Sequence, residues 1–291
     1  MVNVNGQIFG NETFHNGETI YKMPRVDAEH NVIEMRFETD SDITRVQFAT
    51  EFIRDKAPDS KITLIMFYIP YSRTDREIPE GNQMFSMKYF ANIINNLEFT
   101  NIIVIDPHSY VSEAMLVNIT LVNIENLVRE AVDDFKPDYI IYPDKGAFEK
   151  YPKILTDLGV PFFHANKKRD LANRGAIIKD AYELVDAPDL NGKSVLIVDD
   201  LVALGGTAFI TGDTLKKAGA ARVGLYVSHA ENGVFVGKLL DGDETGYHAV
   251  DVTYTAATTP LAKEHKNLKI VGEGILNFFR DTSRFEDKRN E

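Results

Sequence analysis

The sequence predicts an α/β protein of two tandem halves, each a mostly parallel sheet flanked by helices. Three observations predict it. Short apolar runs recur at 62–69, 101–106, 138–143, 161–165, 176–180, 194–199 and 222–229. Unbroken apolar runs of that length mark strands covered on both faces. Amphipathic segments near 84–97, 118–135, 147–158 and 207–218 fall between several of them, the alternation of a parallel sheet with crossover helices. The pattern runs twice, once before about residue 130 and once after, in a chain of 291 residues. That length accommodates two medium domains, each with its own core.

The first forty residues read as a small β region. Asn16-Gly17 is a turn signal before a strand at 18–23, and 27–31 a second turn before a strand at 32–37. The two strands predict a hairpin. Asp40 and Asp42 offer helix caps, and Val46, Ala49 and Ile53 then recur at helical spacing beside Phe48 and Phe52. Further on, Gly159 and Gly219 stand where helices end. A final helix is predicted over 274–280, followed by a charged tail.

Composition narrows the function classes. The chain carries 32 Lys+Arg against 44 Asp+Glu, a net charge of −12. Broad nucleic-acid binding draws on Lys and Arg at phosphates, so no nucleic-acid partner is expected. There is no cysteine, which removes disulfides, thiolate metal sites and thiol catalysis. No apolar run reaches the ~18 residues of a membrane span, and no secretion signal opens the chain. The expected location is the cytoplasm.

The richest stretch is SVLIVDDLVALGGTAFITGDTLKKAGA, residues 194–220. An apolar strand ends in Asp199-Asp200, a short loop leads to Gly205-Gly206-Thr207, and a helix follows. In open parallel sheets ligands bind beyond the carboxyl ends of the strands. A glycine loop opening a helix offers free N–H groups and a dipole that favours an anion. Thr207 adds a hydroxyl. The adjacent carboxylates repel a phosphate but suit sugar hydroxyls, or a metal bridging sugar and phosphate oxygens. The pattern describes a ribose phosphate across a strand–loop–helix turn. It is not a Walker loop: Gly192-Lys193-Ser194 precedes a strand, and Ala187 stands where that motif's first glycine belongs.

VLIVDDLVALGGT resembles the phosphoribosyl-pyrophosphate loop of the type I phosphoribosyltransferase fold, which leaves phosphoribosyltransferases and ribose-phosphate pyrophosphokinases open. The N-terminal half separates them. Phe14-His15-Asn16-Gly17-Glu18 resembles the pyrophosphokinase segment that reaches a neighbouring subunit and contacts adenine. PYSRTDRE (70–77) resembles their ATP-binding segment, and IDPHS (105–109) the segment whose His assists at the triphosphate and metal. YPDKG (142–146) resembles the segment whose Asp helps to hold a cation, and Asn166–Arg169 the base of the catalytic flexible loop. These segments come in the family's order over nearly the whole chain. Read alone, each is open: RTDR fits a solvated salt-bridge cluster, Asp144 a helix cap, Lys167-Lys168-Arg169 a solvated basic run and Phe14 a strand-edge aromatic.

The resemblance implies two tandem type I phosphoribosyltransferase-like domains. These are an ATP-side domain over 1–130 and a ribose-phosphate domain over 131–275, with a helix and tail over 276–291. It implies an Mg²⁺-dependent diphosphotransferase that moves diphosphate from ATP to the anomeric hydroxyl of a ribose phosphate and releases AMP. The implied catalytic residues are Lys167, Arg169 and His108. ATP would meet Phe14, Asn16, Glu18, Arg73, Asp75 and Arg76. Asp199, Asp200, Ala203, Leu204, Gly205, Gly206 and Thr207 would bind the ribose phosphate, and His108 and Asp144 the metal. Residues 170–175 would form a lid excluding water. A shared adenine site implies a homo-oligomer, dimer to hexamer.

Two departures matter. Asn16 replaces the family's usual Asp. In the ribose-phosphate loop, Ala203-Leu204 stands where Asp-Thr is usual. Leu204 removes a hydroxyl from the anion cradle, and a phosphate monoester gains from every donor. A phosphodiester carries less charge and has a bridging oxygen needing none. The acceptor is therefore ribose 5-phosphate or ADP-ribose; the latter would give ADP-ribose 1-diphosphate, a precursor for NAD synthesis. Two other classes remain as alternatives. A phosphoribosyltransferase would need no ATP half, and a non-catalytic pyrophosphokinase-associated subunit would not need Lys167, Arg169 or His108.

Overall fold

The structure, a computed structural model, describes residues 1–10, 12–155, 157–170, 176–256 and 258–280; along 167–170 and 176–181 the description is of the backbone. The chain divides into two compact units: 1–77 with 84–122 and the C-terminal segment from Glu273, and 78–83 with 123–272.

In the first unit, the described strands are β1 (Val2–Val4), β2 (Gln7–Ile8), β3 (Glu12–Thr13), β4 (Thr19–Ile20), β5 (His30–Met35), β6 (Lys61–Ile65), β7 (Asn101–Ile105) and β8 (Ile119–Val122). Helices α1 (Ser41–Lys56), α2 (Ser86–Asn95) and α3 (Tyr110–Ala114) separate the later strands. The main sheet runs β2-β1-β5-β6-β7-β8. Its last four strands are parallel, and β1 is antiparallel to β5. Val46, Ala49 and Ile53 of α1 and Met87, Phe90 and Ile94 of α2 pack with Ile33, Leu64, Ile102 and Val104 in one core. Within α1 the 3–4 spacing of those apolar residues leaves Phe48 on the outer face, exposed.

In the second unit, α4 (Glu125–Phe135), β9 (Tyr139–Tyr142), α5 (Lys145–Lys150), β10 (Phe162–Asp170), β11 (Ala176–Val185) and β12 (Ser194–Val202) come first. They are followed by α6 (Gly206–Lys217), β13 (Arg222–Ala230), α7 (Lys238–Asp241), β14 (Val252–Thr255) and β15 (Leu268–Ile270). The C-terminal α8 (Glu273–Arg280) groups with the first unit. The sheet order is β11-β10-β9-β12-β13-β14-β15, parallel except for β11. From β9 the chain steps outward to β10 and later returns on the other side with β12. The strand order therefore reverses between β9 and β12. In an open α/β sheet such a reversal opens a crevice at the carboxyl ends.

Several expectations change. Residues 118–122 are not helical: Asn118 takes φ +55°, β8 follows, and Asn123 Oδ1 accepts the Glu125 N–H at 2.9 Å to open α4. The apolar residues of 119–122 match a helical period by chance but serve a strand edge. The division expected at 130/131 falls inside α4, and the contacts divide at 122/123. The predicted hairpin between 18–23 and 32–37 does not form. The Asn16-Gly17 turn instead joins β3 to β4, while β5 pairs with β1 and β6. Helix α5 ends at Lys150 and passes into a 3₁₀ turn at Tyr151–Lys153, because Pro152 cannot donate to a continuing α-helix.

Candidate active site

The second unit carries the strand–loop–helix turn singled out in the sequence. β12 ends beyond Asp199 and Asp200, both half-buried, with the Asp200 N–H donating to Asp199 Oδ1 at 3.0 Å. Across the strand-order reversal, Asp144 follows β9 and caps α5: its Oδ1 accepts the Ala147 N–H at 2.9 Å. Asp144 and Asp199 thus stand at the carboxyl ends of the two strands that bound the crevice. Burial pushes the Tyr182 hydroxyl above the ordinary tyrosine range; the hydrogen bond with Thr211 opposes this, and the charges of Asp199 and Asp144 add to it.

The loop 203–207 is held by close backbone packing. Gly205 caps α6 with φ +84°, and a Cβ there would lie 2.7 Å from Leu239 Cβ. Only glycine takes that left-handed conformation without strain. Behind the loop, a Cβ on Gly237 would lie 2.3 Å from the Leu204 carbonyl oxygen, and one on Gly233 2.8 Å from that of Ala203. The 3₁₀ turn Asn232–Phe235 and its flank are therefore the back-plate of the loop. A glycine cap has no side chain, so no side-chain cap bond covers the opening N–H groups of α6. Gly206 faces open space, with nothing within 4 Å of a built Cβ. Leu204 is 63% exposed at the same mouth.

In the first unit the loops after β6 and β7 meet. Asp75 is buried, and Arg76 clasps it with Nε to Oδ1 at 2.8 Å and Nη2 to Oδ2 at 3.2 Å. Burial alone would raise its carboxyl. Hydrogen bonds from Arg76 and Ser109, with the charges of Arg76 and His108, outweigh it and hold the group below the ordinary range. Asp75 is thus buried and paired with Arg76, whereas Arg73 and His108 are exposed. Two residues adopt the left-handed region here, Tyr71 (φ +62°) and Asp106 (φ +45°). Such strained positions concentrate at functional sites. Phe14, Asn16 and Glu18 form the tip of the β3–β4 hairpin. The Phe14 N–H donates to the Glu18 carbonyl at 2.8 Å, and the Phe14 ring is exposed.

Lys167 and Arg169 lie on β10, with a register shift between them against β11. Their side chains lie outside the description, as do residues 171–175 of the expected lid. Among the described residues no three His, Asp or Glu side chains gather as metal ligands. The oxygen donors of Asp199, Asp200 and Asp144 nevertheless fit Mg²⁺, which typically takes one or two carboxylates and completes its shell with water and substrate phosphate. No described helix is long and apolar enough to cross a membrane. Tyr182, set among Asp144, Asp199 and α6, was missed from sequence; a single tyrosine on a strand carries no signal there.

Comparisons with known proteins agree with this geometry. A family model described as phosphoribosyl transferase domain matches residues 117–234, which include β9, β12 and α6. The ribose-phosphate pyrophosphokinase of Pyrococcus furiosus is 30% identical over 224 residues, 75% of this chain and 72% of that one. That of Thermococcus kodakarensis is 28% identical over 254 residues, 84% of each chain. The phosphoribosylpyrophosphate synthetase structure from Mycobacterium smegmatis superposes with a TM-score of 0.71 at 18% identity, covering 94% of this chain and 88% of that one. This likeness shows the fold: two tandem phosphoribosyltransferase-like α/β domains. With the match running through both units, the chain belongs to the ribose-phosphate pyrophosphokinase family and is a diphosphotransferase.

Proposed function

We propose that the protein transfers the β,γ-diphosphate of ATP to the anomeric hydroxyl of a ribose 5-phosphate moiety. The carrying observation is the β12–loop–α6 turn at the strand-order reversal, with paired carboxylates on one side and uncapped N–H groups on the other. Asp199 and Asp200 orient the ribose hydroxyls, and Gly205, Gly206 and Thr207 cradle the 5′-phosphate. Arg73, Arg76 and His108 engage the triphosphate, and Arg76 is held for that task by the buried Asp75. The sugar oxygen attacks the β-phosphorus as the bond to the α,β-bridging oxygen breaks. AMP leaves with that oxygen, and the hydroxyl proton passes to solvent. Lys167 and Arg169 supply positive charge at the transferring group. Mg²⁺ would be held in the second unit by the carboxylates of Asp144, Asp199 and Asp200, where it would supply charge neutralisation for phosphate groups. The exposed Phe14 hairpin tip suits an adenine contact in a neighbouring subunit of a homo-oligomer.

Leu204 favours a second reading of the acceptor, ADP-ribose. It stands exposed at the phosphate mouth, and Val236, beside the Gly237 that touches its carbonyl, is 83% exposed. This apolar margin suits a substituted 5′-phosphate better than a bare one, and the product would be ADP-ribose 1-diphosphate, usable in NAD synthesis. The test is AMP formation from ATP and Mg²⁺ with ribose 5-phosphate and ADP-ribose side by side. AMP with neither acceptor contradicts the function. A preference for ribose 5-phosphate by orders of magnitude contradicts only the ADP-ribose reading.

A further inference from the structure

We infer that Tyr182 is a positioning residue that braces the ribose-phosphate loop from the β-ladder bearing Lys167. The inference rests on the proposed function for its ligand, but its geometry stands by itself.

Tyr182 lies on β11 directly opposite Lys167 of β10 in the antiparallel ladder. Its hydroxyl is 2.6 Å from Thr211 Oγ1, a buried side chain of α6. Thr211 Oγ1 in turn lies 2.9 Å from the carbonyl oxygen of Thr207, in the first turn of α6. The polarity of this chain follows from its end. A carbonyl oxygen only accepts, so Thr211 spends its one proton on Thr207. With that bond made, Tyr182 is the donor in the shorter contact with Thr211. A longer contact of 3.4 Å from the same hydroxyl reaches the Pro143 carbonyl, one residue before Asp144. One hydroxyl therefore touches elements that carry the proposed transfer group, cation carboxylate and phosphate cradle.

The consequence lies in the peptide plane between Thr207 and Ala208. Its carbonyl is the atom held by Thr211, and its N–H is one of the opening donors of α6 that point toward an anion. Fixing the carbonyl fixes that donor before the ligand arrives, so less ordering is paid on binding. Tyr182 touches no substrate in this scheme; it acts through Thr211 on the backbone of the loop. Unlike a tyrosine that only fills the core, it should matter through its oxygen rather than its ring.

The test uses the full chain and three variants: Tyr182→Phe, Thr211→Val, and the two together. Loss of one such hydrogen bond is worth roughly a three- to ten-fold change in affinity. Tyr182→Phe should raise KM for the ribose-phosphate acceptor by that factor while KM for ATP stays within two-fold (on the order of experimental scatter). Thr211→Val should do the same, and the double variant should be no worse than Thr211→Val, because one chain is being cut twice. Amide hydrogen exchange over 205–211, measured without ligand, should quicken in Tyr182→Phe. Equal effects on both substrates, additive losses in the double variant, or unchanged exchange would each overturn the brace. If wild-type protein forms no AMP with either acceptor, the function fails, and the exchange measurement still decides whether the brace exists.

Discussion

Replacing Gly206 by alanine separates the fold from the phosphate cradle. A methyl group at Gly206 meets nothing within 4 Å in the protein, and the residue has no positive φ. Alanine is also the better helix former, by up to about 1 kcal/mol in a helix interior. The Tm of Gly206→Ala should therefore match or slightly exceed the wild type. The open space is where the 5′-phosphate must approach the backbone N–H groups. A methyl there holds the anion away from at least one charge-assisted hydrogen bond, worth about 1.5–3 kcal/mol. That converts to roughly a 10- to 150-fold loss in kcat/KM for the acceptor. Gly205→Ala is the contrast. Its φ of +84° and the 2.7 Å approach to Leu239 Cβ predict loss of both stability and activity. The assay is AMP release at saturating ATP with varied acceptor, beside thermal melts. A Gly206→Ala enzyme with normal acceptor kinetics would refute the placement of the phosphate.

Three more outcomes follow from the same geometry. Lys167→Ala should lower kcat by at least about a hundred-fold with acceptor and ATP KM little changed, because charge at the transferring group acts in the transition state; equal losses in both, seen in steady-state kinetics, would remove Lys167 from the chemistry. Leu204→Thr should restore a hydroxyl to the cradle and shift acceptor preference toward ribose 5-phosphate by roughly ten-fold, read from paired kcat/KM values; an unchanged ratio would show that Leu204 does not select the acceptor. Asp42 of α1 is buried, which pulls its carboxyl up, but the Glu38 N–H, the Met1 amino group and Arg45 outweigh burial and hold it below the ordinary value. A depressed carboxyl stabilises the fold above its unfolded value of about 3.9 and loses that contribution as pH falls through the folded value. Asp42→Asn should thus cost about 1.5–3 kcal/mol at pH 7, and the cost should shrink in urea melts as pH falls through the depressed folded value; a cost that does not shrink on acidification would contradict the assignment.

Much of this architecture can be read from the chain because strands covered on both faces announce themselves as unbroken apolar runs. β9, β12 and β13 sit where those runs do. The proposed phosphate loop stands out in the sequence for a different reason: Asp199-Asp200 and Gly205-Gly206-Thr207 are close neighbours along the chain. What stayed hidden depends on long-range contact. β8 was read as helix because its four residues carry no turn signal stronger than Asn118, whose left-handed backbone only the folded chain reveals. The sequence RTDR does not tell the exposed guanidinium of Arg73 from the buried carboxylate of Asp75, whose partner Ser109 lies more than thirty residues away. Tyr182 gains meaning only from register, by facing Lys167, and from its reach to Thr211.

The central claim is tested most directly by following phosphorus. ³¹P spectra of a reaction with ATP, Mg²⁺ and either acceptor should show AMP appearing one-for-one with a diphosphate ester at the sugar's anomeric carbon. ADP with free phosphate, or AMP that forms at the same rate without acceptor, would contradict the account.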